Sequence, residues 1–258
     1  MPGPEYPRSS ENMVLIWGAA DTGKSAFVQR ACYDVFPPEL DPFDGEGDRK
    51  LAVVDGESRA LWIFCVSNIA ATGMVESFIR RSDMFVLAYS VGSDDSFFQM
   101  NRAYYLIREL RGLWADEHVP IIIIGNKCDL PSTRRALPGG RRRGYGPSSH
   151  DEVRVVSYEE GACLAEQLGC PFFETSAKEN INVEQTFNEL IRAHNRLEDL
   201  RRETKRRSCR VPPNSIPLPT CAIPTLPVGV EGGKERWRRA IRKVIQTRRV
   251  IQRGMTRY

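Results

Sequence analysis

The 258-residue chain has no apolar run approaching the ~20 residues of a membrane-spanning helix. Its first residues, Met1 to Pro7, lack the basic start and apolar stretch of a signal peptide. The seven cysteines are scattered, odd in number and contain no C-x-x-C pair, which argues against a disulfide framework or a zinc site and fits a reducing compartment. Histidine is scarce, and neither His150 nor His194 has neighbours that suggest a ligand or a base. No internal repeat is visible. Acidic residues are nearly absent from 234–258, which carry ten Lys/Arg and one Glu. The formal charge of +4 therefore hides about +9 in that tail and about −5 in the rest, so nucleic-acid binding by the main domain is not expected.

The stretch Gly18-Ala19-Ala20-Asp21-Thr22-Gly23-Lys24-Ser25 follows the apolar run Met13 to Trp17 and opens a helical pattern through Arg30. Strand, G-x-x-x-x-G-K-S, then helix is the context of a phosphate-binding loop. Its glycines let backbone N–H groups converge on an anion, and the helix N-terminus adds partial positive charge. The candidate phosphate-binding residues are Asp21, Thr22, Gly23, Lys24, Ser25 and Ala26. Lys24 would reach the terminal phosphates, and the Ser25 hydroxyl is the candidate Mg²⁺ ligand. The plain alternative is a Gly-containing turn that binds nothing.

Residues 1–11 read as a disordered leader. From 12 to about 207, strand-like runs alternate with helical patterns. Leu51 to Val54 and Leu61 to Phe64 flank Asp55-Gly56-Glu57-Ser58, a hairpin signal. Residues 84–91 and 120–125 read as buried parallel strands, and 170–175 as another short strand. Helices are expected over about 94–114, 157–168 and 182–205, with Ser157 and Glu160 forming a capping box. This alternation predicts an α/β fold with a doubly wound sheet and ligands at the carboxyl ends of its strands. The Gly/Pro/Arg-rich stretch 131–152 interrupts the pattern and reads as a surface loop. Residues 208–233 are proline-rich and read as an extended linker.

Two further motifs choose a base. After 120–125 comes Asn126-Lys127-Cys128-Asp129. A carboxylate at Asp129 can accept hydrogen bonds from both N1–H and the exocyclic amine of guanine, and adenine offers no such pair. Glu174-Thr175-Ser176-Ala177-Lys178 ends a strand, so the Ala177 N–H would meet O6 while Lys178 packs along the base. Asn126, Lys127, Asp129, Ser176, Ala177 and Lys178 are thus the candidate base-site residues.

With these three motifs in this order, the chain resembles the Ras-like small GTPases, and Cys170 to Lys178 with the preceding Glu159-Glu160-Gly161 looks like the Ras proteins of fungi in particular. The resemblance covers about 12–200, with 131–152 as an insertion. It implies a P-loop NTPase G domain: a mostly parallel six-stranded sheet flanked by helices, binding GTP or GDP with Mg²⁺ and signalling through effector or regulator proteins. Phe36 falls where the family has an aromatic that stacks on guanine.

The switch positions depart from the family. Phe43 stands where a threonine would bind Mg²⁺, and phenylalanine has no oxygen to offer a hard cation. Cys65 replaces the carboxylate supporting the Mg²⁺ shell, Asn68 a glycine, and Ile69 the glutamine that orients water. Ala20 and Asp21 replace paired glycines; Ala20 crowds the entry of an activating arginine, and Asp21 places negative charge near phosphates. The expectation is guanine-nucleotide binding with weak or absent hydrolysis, no assigned catalytic residue and output through partners. The alternatives are a switching GTPase using substitutes such as Thr72, Gly73 or Glu76, and a scaffold that binds no nucleotide.

The chain ends Met255-Thr256-Arg257-Tyr258, which is not a prenylation box. In 234–258, Trp237, Ile241, Val244, Ile245 and Ile251 share one helical face, with Arg248 interrupting it. A basic amphipathic segment of this kind suits an anionic membrane surface or a calmodulin-like groove; a solvated basic tail is the alternative. Cys209 and Cys221 are candidate lipidation sites. The expected protein is a cytoplasmic monomer, peripheral at the inner face of the plasma membrane if the tail docks there.

Overall fold

A computed structural model describes residues 11–36, 47–67, 73–112, 119–132 and 152–208. The strands are β1 (Glu11–Trp17), β2 (Asp48–Val54), β3 (Glu57–Val66), β4 (Met84–Ser90), β5 (Ile121–Asn126) and β6 (Phe172–Glu174). The helices are α1 (Lys24–Tyr33), α2 (Gly73–Arg81), α3 (Asp94–Leu110), α4 (Tyr158–Leu168) and α5 (Val183–Ser208). They form one six-stranded sheet in the order β2-β3-β1-β4-β5-β6. Only the β2–β3 pair is antiparallel. This is the mostly parallel, helix-flanked sheet expected from the sequence.

Strand alternation sorts the core into two layers. Leu15, Trp17, Phe85, Leu87, Ile121 and Ile123 face α2, α3 and α4, where Ile79, Phe97, Met100, Ile107 and Leu164 are buried. Val14, Ile16, Val86, Ala88, Ile122 and Ile124 face the other way, onto Phe27 of α1 and Phe187, Leu190 and Ile191 of α5. Phe27 and Phe187 stack with ring centroids 5.6 Å apart, fixing α1 beside α5. Because β1, β4 and β5 are covered on both faces, they read in sequence as unbroken apolar runs.

Several boundaries differ from the sequence reading. Glu11, assigned to the leader, belongs to β1: it pairs with Ala60 and meets Arg49 at 3.4 Å. The hairpin turn is shorter than expected. Asp55 and Gly56, with φ of 53° and 84°, make it alone, leaving Glu57 and Ser58 in β3; two successive positive φ values match the twist of a tight hairpin. Helix α3 stops at Leu110 rather than 114, where the Arg111 and Gly112 N–H groups bond back to Ile107 and Glu109. Helix α2 was not anticipated; it buries Val75 and Ile79, one turn apart. The capping box is present as expected, with the Ser157 side chain on the Glu160 N–H and the Glu160 carboxylate on the Ser157 N–H.

The leader up to residue 10, most of the insertion (133–151), the linker beyond Ser208 and the basic tail all lie outside the described residues, together with Cys209 and Cys221. No helix among the described residues is long and apolar enough to cross a membrane.

Candidate functional site

The carboxyl ends of β1, β5 and β6 carry the three sequence motifs, and the carboxyl end of β3 carries Cys65. Chain leaving β1 passes directly against β4: a Cβ added to Gly18 would sit 2.2 Å from the Ala88 carbonyl oxygen, so no side chain fits. The loop then turns through Asp21 at φ 59°, a left-handed conformation that aspartate tolerates better than most residues. Ala20 and Asp21 are exposed. Gly23, at φ 81°, begins α1 without a side-chain cap, and the first turn holds no acidic residue. The helix start is therefore suited to an anion. Ser25 is half-buried there, and Ala26 is buried.

Lys24 is 4% exposed. Its ammonium donates to the Ala19 carbonyl at 2.6 Å and to the Thr22 hydroxyl at 3.3 Å, and Thr22 in turn donates to Ala19 at 3.0 Å. Burial lowers the Lys24 pKa to about 8, with Cys65 and Asp21 opposing the shift. Cys65 enters through β3, in register with Ile16 of β1. One side of it opens to solvent. The protein packed around it nevertheless raises its thiol pKa to about 12, against the pull of Lys24. Near neutral pH Cys65 is thus an uncharged thiol where the resemblance implies a carboxylate.

Asn126, at the end of β5, joins the phosphate loop to the base motifs. Its amide nitrogen donates to the Thr22 carbonyl at 2.8 Å and to the Gly23 carbonyl at 3.4 Å. Its amide oxygen accepts from the Thr175 hydroxyl at 3.2 Å. A Cβ on Gly23 would lie 2.5 Å from that same amide nitrogen, so Asn126 also requires the glycine. The next residues turn tightly: Lys127 has φ 62°, Cys128 N–H donates to Thr175 and Leu130 N–H to Lys127. Lys127 pairs with Glu152 at 3.0 Å. Asp129 is exposed, with no hydrogen-bond or ion-pair partner among the described residues.

Ser176 is buried and exchanges backbone hydrogen bonds with Ile181, while its hydroxyl accepts from the Glu179 N–H. Ala177 is buried and Lys178 is exposed, 3.7 Å from Glu179. Phe36 follows α1 with 43% exposure. The phosphate-loop and base-motif candidates, with Phe36, are all among the described residues. Phe43, Asn68, Ile69 and Thr72 lie outside them, whereas Gly73 and the half-buried Glu76 belong to α2.

Magnesium prefers an octahedron of oxygens. The Ser25 hydroxyl fits such a shell, but the neutral thiol of Cys65 does not. No group of three or more His, Cys, Asp or Glu suited to a metal occurs among the described residues. Among the described residues, Ser25 fits a magnesium shell and Cys65 does not add to it.

Two arginines that carry no motif also bind to these motifs. Arg30 binds the Ala177 carbonyl, and Arg154 binds the Cys128 carbonyl. Both partners are backbone groups assembled by the topology, so no spacing in the sequence announces them.

A model of the Ras family matches residues 13–196. A Ras-like protein of Laccaria bicolor is 33% identical over 183 residues, covering 70% of this chain and 77% of that protein. Ras-like protein 1 of Saccharomyces cerevisiae is 32% identical over 183 residues, covering 70% and 52% respectively. Ras-like protein rasS of Dictyostelium discoideum is 33% identical over 181 residues, covering 70% and 81%. With the sheet order and the loop geometry above, this match establishes that the chain belongs to the Ras family.

Proposed function

We propose that this protein binds GDP and GTP with guanine specificity, hydrolyses GTP weakly or not at all, and acts through partner proteins. Ras-like small GTPases bind guanine nucleotides and work through effectors and regulators. The observation that supports the reading is that Asn126 ties the phosphate loop, at Thr22 and Gly23, to the base motif, at Thr175, while the neutral Cys65 interacts electrostatically with Lys24. Lys24 would meet the terminal phosphates, Asp21 to Ala26 would supply loop N–H groups, and Ser25 would contact Mg²⁺. Phe36 and Lys178 would pack on the base. Asp129 would accept from its N1–H and amine, and the Ala177 N–H, unpaired among the described residues, would donate to O6. Lys127 and Ser176 would support that pocket. Catalysis in the family depends on positioned charge and an oriented water. A thiol at 65 and an isoleucine at 69 supply neither.

The G domain, expected over 12–207, is read as 11–208 from the ends of β1 and α5, and 234–258 as a basic segment that docks on an anionic membrane surface or a calmodulin-like groove. The protein is read as a cytoplasmic monomer, peripheral at the membrane if the tail docks there.

The test is to purify the full chain, denature it, identify the released nucleotide by chromatography, and follow added GTP for hours with Mg²⁺. Released guanine nucleotide without turnover is expected, and Asp129→Ala should remove it. Turnover at ordinary intrinsic rates would mean that other switch residues, with Thr72, Gly73 and Glu76 as candidates, substitute for the missing groups. Absence of any nucleotide, with no binding of added GDP, would favour a scaffold.

A further inference from the structure

Arg154 lies two residues past the point where the described chain resumes after the insertion. Its backbone N–H donates to the Pro131 carbonyl at 2.9 Å, closing the two ends of that segment. Its guanidinium grips both carboxylate oxygens of Glu174, at 2.5 and 2.9 Å. The same group donates to the Cys128 carbonyl at 3.1 Å and to the Val156 carbonyl at 3.4 Å. Both partners of this pair are mostly buried, at 16% and 15% side-chain exposure. One planar fork thus joins the end of β6 to the peptide immediately before Asp129.

Arg30 does the same on the other side. From the last turn of α1, its Nε donates to the Ala177 carbonyl at 3.0 Å and one Nη to the Lys178 carbonyl at 3.4 Å. Its other Nη binds the Asp34 carbonyl at 2.8 Å and the Asp34 carboxylate at 3.2 Å. Asp34 caps α1 two residues before Phe36 and also accepts from Asn180 at 3.2 Å. Arg30 therefore holds the Ala177–Lys178 turn and the approach to Phe36 together.

We propose that Arg154 and Arg30 are positioning residues for guanine recognition, Arg154 orienting the Asp129 carboxylate and Arg30 the Ala177 N–H. This rests on the reading that Asp129 and Ala177 face the base. The two clamps then govern different edges. Asp129 reads N1–H, which hypoxanthine keeps, and the exocyclic amine, which it lacks. Ala177 reads O6, which guanine and hypoxanthine share. Guanidinium geometry is essential to both, since an ammonium cannot bridge several fixed acceptors in one plane.

The experiment measures the affinities of GDP and IDP for the full chain and for Arg154→Met, Arg154→Lys and Arg30→Met, with circular dichroism and thermal melts confirming the fold. Arg154→Met should reduce the GDP-over-IDP preference about five- to tenfold. Arg154→Lys, which keeps the charge, should fold and show the same reduced preference; it decides the matter if Arg154→Met does not fold. Arg30→Met should weaken GDP and IDP by equal factors of about five and leave the preference intact. Folded Arg154 variants that keep the full preference, or that lose GDP and IDP equally, would overturn the role given to Arg154. An Arg30→Met protein with unchanged affinities would overturn the role given to Arg30. A wild-type chain that binds neither nucleotide would instead overturn the underlying guanine-binding reading, and this proposal with it.

Discussion

Lys24 carries a positive charge into a place with 4% exposure, and its pKa falls from 10.5 to about 8 as a result. Between those two values the unfolded chain holds a proton that the folded protein lacks, so the stability of nucleotide-free protein should rise as pH increases from about 8 to 10 and be flat below. Urea melts across that range check it, and Lys24→Met should remove the rise. Phosphates oppose this trend because they favour the ammonium. GDP affinity should therefore fall above pH 8, by up to about tenfold per unit, as binding takes up a proton. Cys65 interacts with Lys24 and stands where the Ras resemblance implies a carboxylate supporting the Mg²⁺ shell. With a neutral thiol there, EDTA should change the GDP release rate little. Cys65→Asp should make release accelerate severalfold in EDTA, measured with a fluorescent GDP analogue.

Among the elements, α4 is the one whose start is written most plainly. Ser157→Ala removes the acceptor of the Glu160 N–H and should cost about 1 kcal/mol. For a domain of this size, that lowers the melting temperature by about 2–4 °C in a thermal scan. The capping box was legible because both partners sit three residues apart. β4 and β5 were legible because burial on both faces leaves no polar alternation to confuse them. α2 was not: it starts at a glycine and is short, and among its residues of described burial only Val75 and Ile79 are buried. The end of α3 is not legible either: the apolar pattern of the sequence continues through Leu113 and Trp114, while the helix ends at Leu110 and Gly112 takes a left-handed φ of 63°. At the site, the motif residues could be read from the chain. The bonds of Arg30 and Arg154 could not, because their acceptors are carbonyls that become neighbours only after β5, β6 and α1 assemble.

At the scale of the whole molecule, the charge of the chain is divided between an acidic body and a basic end. Removing 208–258 should abolish binding to vesicles rich in anionic lipid while leaving GDP affinity unchanged, as sedimentation and nucleotide titration would show. The full chain should bind such vesicles less at higher salt. Inside the body, separation is what the structure avoids. A single buried carboxamide, Asn126, touches the phosphate loop through Thr22 and Gly23 and the base end through Thr175. The two halves of a nucleotide would therefore meet one continuous hydrogen-bonded piece of backbone rather than two independent subsites. Ordering either half prepays part of the entropy of ordering the other. The affinity of an intact guanine nucleotide should then exceed what its base and its phosphates supply when added as separate molecules.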